Sequence, residues 1–373
     1  MQNNKKNSKH ACLLLIVYLI TTQFAHADSY AESSSLIEGD NNHSINQEQT
    51  KPLLNSKAKD NKEKCNADLP TERWVDRVRR NSHRGLCKSV MWIDGLFGNE
   101  HEFEDENFSG KLSIGFRQDE DDGFDPRLRV RLRTKLPNVS NRLNAFIGRV
   151  DEDSYISNTE VNEDSVTNVG LRSNDDEENE WLVGLGYRKP NKNNNGFDFS
   201  VGAKLSSGIR PYAKIAHRHL FNPSDKHFIR STQTVFWRRD EKFGVSTSFD
   251  YTYLLNRKDI IEFDASAKYT EEDEQWEWVT GSTWHHSITQ KKGISSRVYV
   301  RGEEENPVSI PEYGLTFTYI RPFLRPWLFL ETGVDFRWEK EDVDASYKSA
   351  TRFGLQVQML LGDYYKNRRP LKE

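Results

Sequence analysis

Apolar and polar residues alternate along most of the chain from residue 111 onward. In the segment 127–134, Leu128, Val130 and Leu132 alternate with four arginines, and similar segments recur up to residue 361. A period of two indicates a β-strand with one apolar face, and strands of about ten residues suit a tilted membrane crossing. The pattern predicts 14 strands, with 12 as the alternative count, near 111–118, 126–136, 141–149, 180–189, 197–207, 210–220, 227–239, 242–254, 258–270, 275–288, 293–302, 312–321, 326–339 and 347–361.

The segments between the predicted strands alternate in charge. Odd-numbered connections are acidic, as in Asp151–Glu180, whereas even-numbered ones are short and either basic or rich in Asn and Pro, as in Arg321–Arg325 and Asn222-Pro223. Only Ser206–Gly208 departs from this contrast. An antiparallel barrel explains the alternation because it places consecutive connections at opposite ends, with the short turns on the periplasmic side. The expected fold is therefore all-β, a transmembrane antiparallel up-and-down β-barrel over residues 108–362.

The N-terminal residues have the pattern of a secretory signal peptide. Three lysines precede the apolar run Ala11–Ile20, and Ala25-His26-Ala27 fits the cleavage pattern. The run is short for a transmembrane helix, which needs roughly 20 apolar residues. We expect residues 1–27 to be removed on export to the outer membrane, with a short buried helix or an uncleaved anchor as the alternatives.

Three further segments lie outside the predicted barrel. Residues 28–68 are polar and nearly free of aromatic residues, which predicts a disordered leader. A helix start at Leu69-Pro70-Thr71-Glu72 opens a small helical segment over 69–107, which would cap the periplasmic mouth, plug the barrel or lie on the membrane surface. Residues 363–373 form a C-terminal tail.

Composition narrows the classes of partner. Without residues 1–27 the chain carries 50 basic and 57 acidic residues, a net charge of −7, so a nucleic-acid partner is not expected. The mean hydropathy of −0.82 is very polar, yet aromatic residues reach 12%. A barrel reconciles these values because only every second strand residue must be apolar.

Two cysteines, Cys65 and Cys87, remain after the predicted processing. An oxidising compartment permits a disulfide between them, and their spacing fits no zinc or redox motif. We therefore expect a structural bridge. The sequence also contains no phosphate loop or nucleotide fingerprint, so no cofactor or metal is expected.

The last predicted strand resembles the assembly signal of bacterial outer-membrane β-barrel proteins. Thr351, Gly354, Val357 and Met359 follow its polar, glycine and hydrophobic positions. The resemblance covers this one strand and implies three partners, namely the barrel assembly machinery, outer-membrane lipid and lipopolysaccharide. A terminal aromatic residue is common in that signal, whereas this chain continues through Tyr364 and Tyr365 to Glu373, so the pattern leaves the end of the barrel open.

A run of alternating arginines is the most specific candidate for a functional site. Arg127, Arg129, Arg131 and Arg133 share one strand face, and that face must line the lumen because a charge in the lipid costs about 2–4 kcal/mol. A basic strip favours anionic solutes in a pore. Alternatively, luminal acids neutralise it. Further luminal basic residues are Lys204, Arg297, Arg301 and Arg352, and the candidate counter-charges are Glu262, Asp264, Glu331, Asp335 and Glu277.

The histidines offer a weaker alternative. His217 and His219 share one strand face, whereas His285 and His286 lie on opposite faces. Serines and acids lie nearby, but the sequence assigns no catalytic order among them. A non-enzymatic outer-membrane channel or envelope protein that favours anionic solutes is thus the preferred function. The alternatives are an outer-membrane hydrolase acting on lipid or envelope fragments and a closed structural or assembly scaffold.

Overall fold

The computed structural model describes residues 73–80, 108–121, 123–136, 140–159, 180–190, 195–205, 208–239, 242–304 and 306–362. Two short helices occur in these ranges, α1 over 74–80 and α2 over Glu152–Ser157. The strands are β1 Phe108–Asp119, β2 Gly123–Leu136, β3 Ser140–Arg149, β4 Trp181–Pro190, β5 Gly196–Leu205, β6 Ile209–Ser224, β7 His227–Arg238, β8 Lys242–Leu254, β9 Asp259–Thr270, β10 Trp276–Thr289, β11 Lys292–Glu303, β12 Glu312–Phe323, β13 Arg325–Glu339 and β14 Lys348–Gly362.

The strands form one closed antiparallel barrel. Each strand pairs with its neighbours in the chain, and β1 pairs with β14 to close the sheet, from Ser109 opposite Gly362 to Asp119 opposite Arg352. The predicted fold class and the count of 14 strands are confirmed. The fold is that of outer-membrane β-barrel proteins, in which closure leaves no unpaired strand edge.

One predicted strand end was wrong by several residues. The Asn222-Pro223 pair was expected to form a turn after residue 220, but β6 continues to Ser224 and the two-residue turn is Asp225-Lys226. The pairing of β6 with β7 shifts register between Phe221 and Ser224. Proline cannot donate a ladder hydrogen bond, so a local irregularity near the strand end is where it is tolerated.

The two faces of the sheet differ in polarity. Outward positions carry exposed apolar side chains, such as Ile114 and Val201, each 58% exposed, and Val298, 54% exposed. The alternate positions are polar and buried, as in Ser246 and Thr316. This is the arrangement of a barrel that presents an apolar band to lipid and encloses a polar lumen. Neither described helix is long and apolar enough to cross a membrane.

The ends of the barrel also differ. One end, here called the terminal end, holds Phe108 and Gly362 together with short turns such as Asp225-Lys226. The other end, here called the loop end, carries the longer connections, of which the one between β3 and β4 is the longest. Short turns are typical of the periplasmic side.

Helix α1 lies at the terminal end. Val75 belongs to an apolar cluster with Trp327, Leu328, Met359 and Leu361. The Asp76 carboxylate accepts hydrogen bonds from the Arg325 guanidinium at 2.9 and 2.5 Å, and the Arg79 guanidinium lies 4.8 Å from the Trp327 ring centre. These contacts join α1 to the start of β13. Some predictions concern residues outside the described ranges. They are those for residues 1–72, for residues 81–107, for the tail 363–373 and for the disulfide between Cys65 and Cys87.

Candidate functional site in the lumen

Helix α2 lies inside the barrel. Two residues separate it from the end of β3, and it packs against the inner faces of β6, β7 and β8. Tyr155 and Ile156 of α2 belong to an apolar cluster with inward side chains of the surrounding strands, namely Phe146, Leu182, Tyr212 and Phe236, together with Val150. The Tyr155 ring stacks on Phe146 with a centroid distance of 4.3 Å. The lumen therefore contains a small apolar core of its own, on the side formed by β3–β8.

Inward-facing glycines make room for this core. A Cβ atom at Gly202 would lie 2.2 Å from the Val183 carbonyl oxygen and 2.6 Å from the Tyr212 hydroxyl oxygen. A Cβ atom at Gly244 would lie 2.2 Å from the Phe236 ring. Because these positions lack a side chain, the Tyr212 and Phe236 rings lie close to the wall and leave space for α2.

Polar contacts hold the C-terminal end of α2. The Lys214 ammonium donates hydrogen bonds to the Tyr155 carbonyl oxygen and, at 2.9 Å, to Asn158 Oδ1. Asn158 adopts a left-handed conformation with φ 56°, which is typical of a helix C-cap. A cation beside the last carbonyl groups of a helix is favourable because that end carries partial negative charge.

Two further hydrogen bonds fix the same segment to β7 and β8. Asn158 Nδ2 donates to Thr234 Oγ1 at 2.9 Å, and Ser246 Oγ donates to the Ser157 carbonyl oxygen. Ile156 and Ser157 are almost fully buried. The start of the β3–β4 connection is thus part of the packed interior.

This arrangement was not predicted from the sequence. The segment Asp151–Glu180 was interpreted as an acidic connection outside the membrane, yet residues 151–159 turn into the lumen. The available signal was the apolar pair Tyr155-Ile156 within an acidic segment. Its binding surface is assembled from β3, β4, β6 and β7, so only the closed barrel creates it.

The arginines of β2 face the lumen. Arg129 lies opposite Ser113 and Arg131 opposite Lys111, whose side chains are both buried on the inner wall. Arg127 is buried and its Nε atom lies 2.7 Å from Asp125, whereas Arg129 and Arg131 are half-buried and Arg133 is exposed. The four residues, together with Lys111 and Arg117, form a surface that we call the basic strip.

The other predicted basic residues lie on different parts of the wall and pair with acids. Lys204 Nζ lies 3.1 Å from Glu180, and Arg352 Nε lies 2.6 Å from Asp119. Arg297 forms a two-pronged ion pair with Asp264, and Arg301 pairs with Glu312. Arg337, which was not predicted as a luminal site residue, is buried and bridges the acids Asp119, Asp121 and Glu339.

The predicted counter-charges make contacts within β9–β14. Asp264 binds Arg297, and Glu262 lies 3.4 Å from His285 Nε2. Asp335 accepts a hydrogen bond from Thr316 at 2.8 Å, and Glu331 accepts one from Gln356 at 3.0 Å. Glu277 lies 3.3 Å from Lys268.

Charge is distributed unevenly around the lumen. Inward basic residues predominate on β1–β7, where the acids are Asp119, Asp125 and Asp198. Inward acids predominate on the opposite wall, namely Asp250, Glu262, Asp264, Glu277, Glu303, Glu312, Glu331, Asp335 and Glu339. The lumen thus has a basic and an acidic side.

The histidines are divided between the two faces of the sheet. His217 and His219 face outward, and the His217 ring lies 4.8 Å from that of Phe197. His286 also faces outward, with Nδ1 2.7 Å from Asp259. His285 alone of the four faces the lumen, beside Glu262. The outward positions suit an interfacial ring of polar aromatic side chains.

The residues of the proposed assembly signal all lie in β14. Val357 and Met359 face outward with Thr351, whereas Gly354 faces the lumen between Arg117 and Gly333. The strand ends at Gly362, three residues beyond Met359.

No family model matches the chain, and no curated protein matches it. Several solved structures resemble it in part. An anion-selective porin from Comamonas acidovorans aligns at 9% identity and a TM-score of 0.44, over 68% of this chain and 98% of that chain. OmpT, an outer membrane protein of Vibrio cholerae, aligns at 12% identity and a TM-score of 0.40, over 70% and 100%. The KdgM porin aligns at 5% identity and a TM-score of 0.32, over 67% and 98%.

Proposed function

We propose that the protein is an outer-membrane channel that favours anionic solutes. One observation carries the proposal, namely that the basic strip of β1 and β2 lies on the lumen wall and does not face the lipid. Arg127 to Arg133 spans about 20 Å of strand at ~3.3 Å per residue. A positive field over that length, within low-dielectric walls, raises the local concentration of anions.

Helix α2 supports a solute path along the basic strip. It occupies the side of the lumen formed by β3–β8, and its described contacts hold it against that wall. Among the described residues, the apolar contacts of α2 lie on β3, β4, β6 and β7, so the proposed path follows β1, β2 and the β9–β14 wall. A solute that passes α2 would meet Arg129 and Arg131 on one side and the acidic side opposite. Export through a cleaved signal peptide and insertion by the barrel assembly machinery belong to the same proposal.

The test is the reversal potential in a potassium chloride gradient across a planar bilayer. The wild-type protein is expected to favour chloride. The double change Arg129→Gln and Arg131→Gln removes two charges from the middle of the strip, and the ratio of chloride to potassium permeability should fall by roughly two-fold or more. The apolar outer face is untouched by these changes.

The matched control removes two positive charges elsewhere. Arg257→Gln with Lys258→Gln alters the exposed β8–β9 turn and should leave the permeability ratio near the wild-type value. Unchanged selectivity in the Arg129/Arg131 variant, combined with a lower unfolding temperature, would contradict the channel role and favour a closed scaffold. The buried ion pairs around Arg337 and Asp119 are the feature that such a scaffold would rely on.

A further inference from the structure

A groove lies on the outer face of the barrel, across β10–β14. Its volume is about 420 Å³. The large side chains that border it point away from the lumen, and several are well exposed, including Trp284, Phe317 and Phe353. Small residues, Ser296 on β11 and Thr332 on β13, form its floor between these large ones. Aromatic side chains on either side of a shallow floor suit an acyl chain, because the rings and the acyl chain are both apolar and their contact area is large.

Two cations stand at the end of this groove. Lys292, Ile294 and Ser296 are successive outward positions of β11, and Phe317, Tyr319 and Arg321 are those of β12. The pairing of Gly293 with Ile320 sets Lys292 beside Arg321 where the two strands end. Both side chains are exposed, and among the described residues neither has an ion-pair partner.

The position of Lys292 and Arg321 in the barrel indicates what kind of ligand they would bind. Lys292 and Arg321 are at the terminal end, where the turns are short, and that end faces the periplasmic leaflet of phospholipid. Cations at this depth attract anionic headgroups. An arginine also offers a planar fork of donors that matches a phosphate group.

We propose that the outer face of β10–β14 is a binding site for one anionic phospholipid of the periplasmic leaflet. Its phosphate lies between Lys292 and Arg321, and one acyl chain lies in the groove beside Trp284. The site is independent of the lumen, so it holds whether or not the barrel conducts ions.

Trp284 provides the readout, because bromine atoms on an acyl chain quench a tryptophan that they touch. The chain contains nine tryptophans, so the signal of Trp284 is the difference between wild type and Trp284→Phe. The intact protein is reconstituted in vesicles that contain a small fraction of brominated phosphatidylglycerol or, separately, brominated phosphatidylcholine. Quenching of Trp284 should reach half its maximum at a several-fold lower fraction of the anionic lipid.

Two variants test the two parts of the site. Lys292→Gln with Arg321→Gln should raise the half-quenching fraction of phosphatidylglycerol several-fold, to the value for phosphatidylcholine. Ser296→Leu fills the groove without changing the charge and should reduce Trp284 quenching by both lipids. The control, Lys226→Gln, removes a cation from the exposed β6–β7 turn at the same end of the barrel, away from β10–β14, and should change neither value. All these positions are exposed or half-exposed, so the barrel should fold in each variant.

Three results would overturn the proposal. The first is equal quenching of wild-type Trp284 by the two lipids, and the second is no change in the Lys292/Arg321 variant. The third is displacement of the brominated lipid by lipopolysaccharide, which would assign the groove to a lipid of the opposite leaflet.

Discussion

At the scale of single residues, Lys214 holds the C-terminal end of α2. Its ammonium group binds the Tyr155 carbonyl oxygen and Asn158 Oδ1 and lies 4.3 Å from the Tyr155 ring centre. Lys214→Met keeps the aliphatic stem but leaves these buried acceptors without their donor. The free energy of unfolding in urea should fall by about 1–3 kcal/mol. Lys226→Met, in the exposed β6–β7 turn, is the control and should have little effect; equal losses in both variants would argue against the role of Lys214.

The Asp76–Arg325 ion pair makes the attachment of α1 dependent on pH. Hydrogen bonds from Arg325 hold the pKa of the Asp76 carboxyl below its ordinary value. A carboxylate with a lowered pKa in the folded state stabilises that state above its unfolded pKa, near 3.9, and this contribution disappears as pH falls through the folded value. Protection of the α1 amides from hydrogen exchange, corrected for intrinsic rates, should therefore decrease below about pH 4.

The variant Asp76→Asn separates this effect from general acid unfolding. It cannot titrate, so protection of α1 should be lower at neutral pH and should no longer depend on pH between 6 and 3 (roughly the range over which an aspartate titrates). A variant that kept the wild-type pH profile would show that another group controls the attachment.

At the scale of elements, α2 and the apolar cluster around it narrow the lumen. Tyr155→Ala with Ile156→Ala removes the two α2 side chains that pack against Phe146, Leu182, Tyr212 and Phe236. Loss of these apolar contacts should release α2 from the wall of β3–β8, and single-channel conductance should increase or fluctuate.

The control for α2 lies on the same strands but on the outer face. Ile215→Ala with Val235→Ala removes similar apolar volume from exposed outward positions of β6 and β7. Conductance should stay at the wild-type level in this control. If the Tyr155/Ile156 variant also conducted like wild type, α2 would not narrow the path.

At the scale of the whole molecule, the different charges at the two ends of the barrel predict its orientation in the membrane. The loop end carries exposed acids such as Glu271 and Asp342, whereas the terminal end carries exposed cations such as Lys258 and Lys292. A peptide tag inserted after Asp342 should bind antibody on intact cells, and a tag inserted after Lys258 should bind only after the envelope is permeabilised. The opposite pattern would mean that the barrel is inserted the other way round.

The count and approximate bounds of the strands could be predicted from the sequence because a strand places its side chains alternately on two faces. When one face meets lipid and the other a polar lumen, apolar and polar residues alternate along the sequence, as in Leu128 to Arg133. The inward position of the β2 arginines follows from the same rule, since charge in lipid is costly. The turn after β6 was placed wrongly because a Pro-containing strand end looks like a loop in sequence.

Only the closed barrel determined which side chains meet across the lumen. Asp119 meets Arg337, and Lys214 meets Asn158, over separations of 218 and 56 residues. The local alternation predicts which face of the sheet a residue occupies, but it does not predict contacts between distant strands. The ion-pair partners therefore could not be predicted from the sequence. For the same reason the inward fold of residues 151–159 was missed: its binding surface is shared among β3, β4, β6 and β7, and it exists only after the sheet has closed.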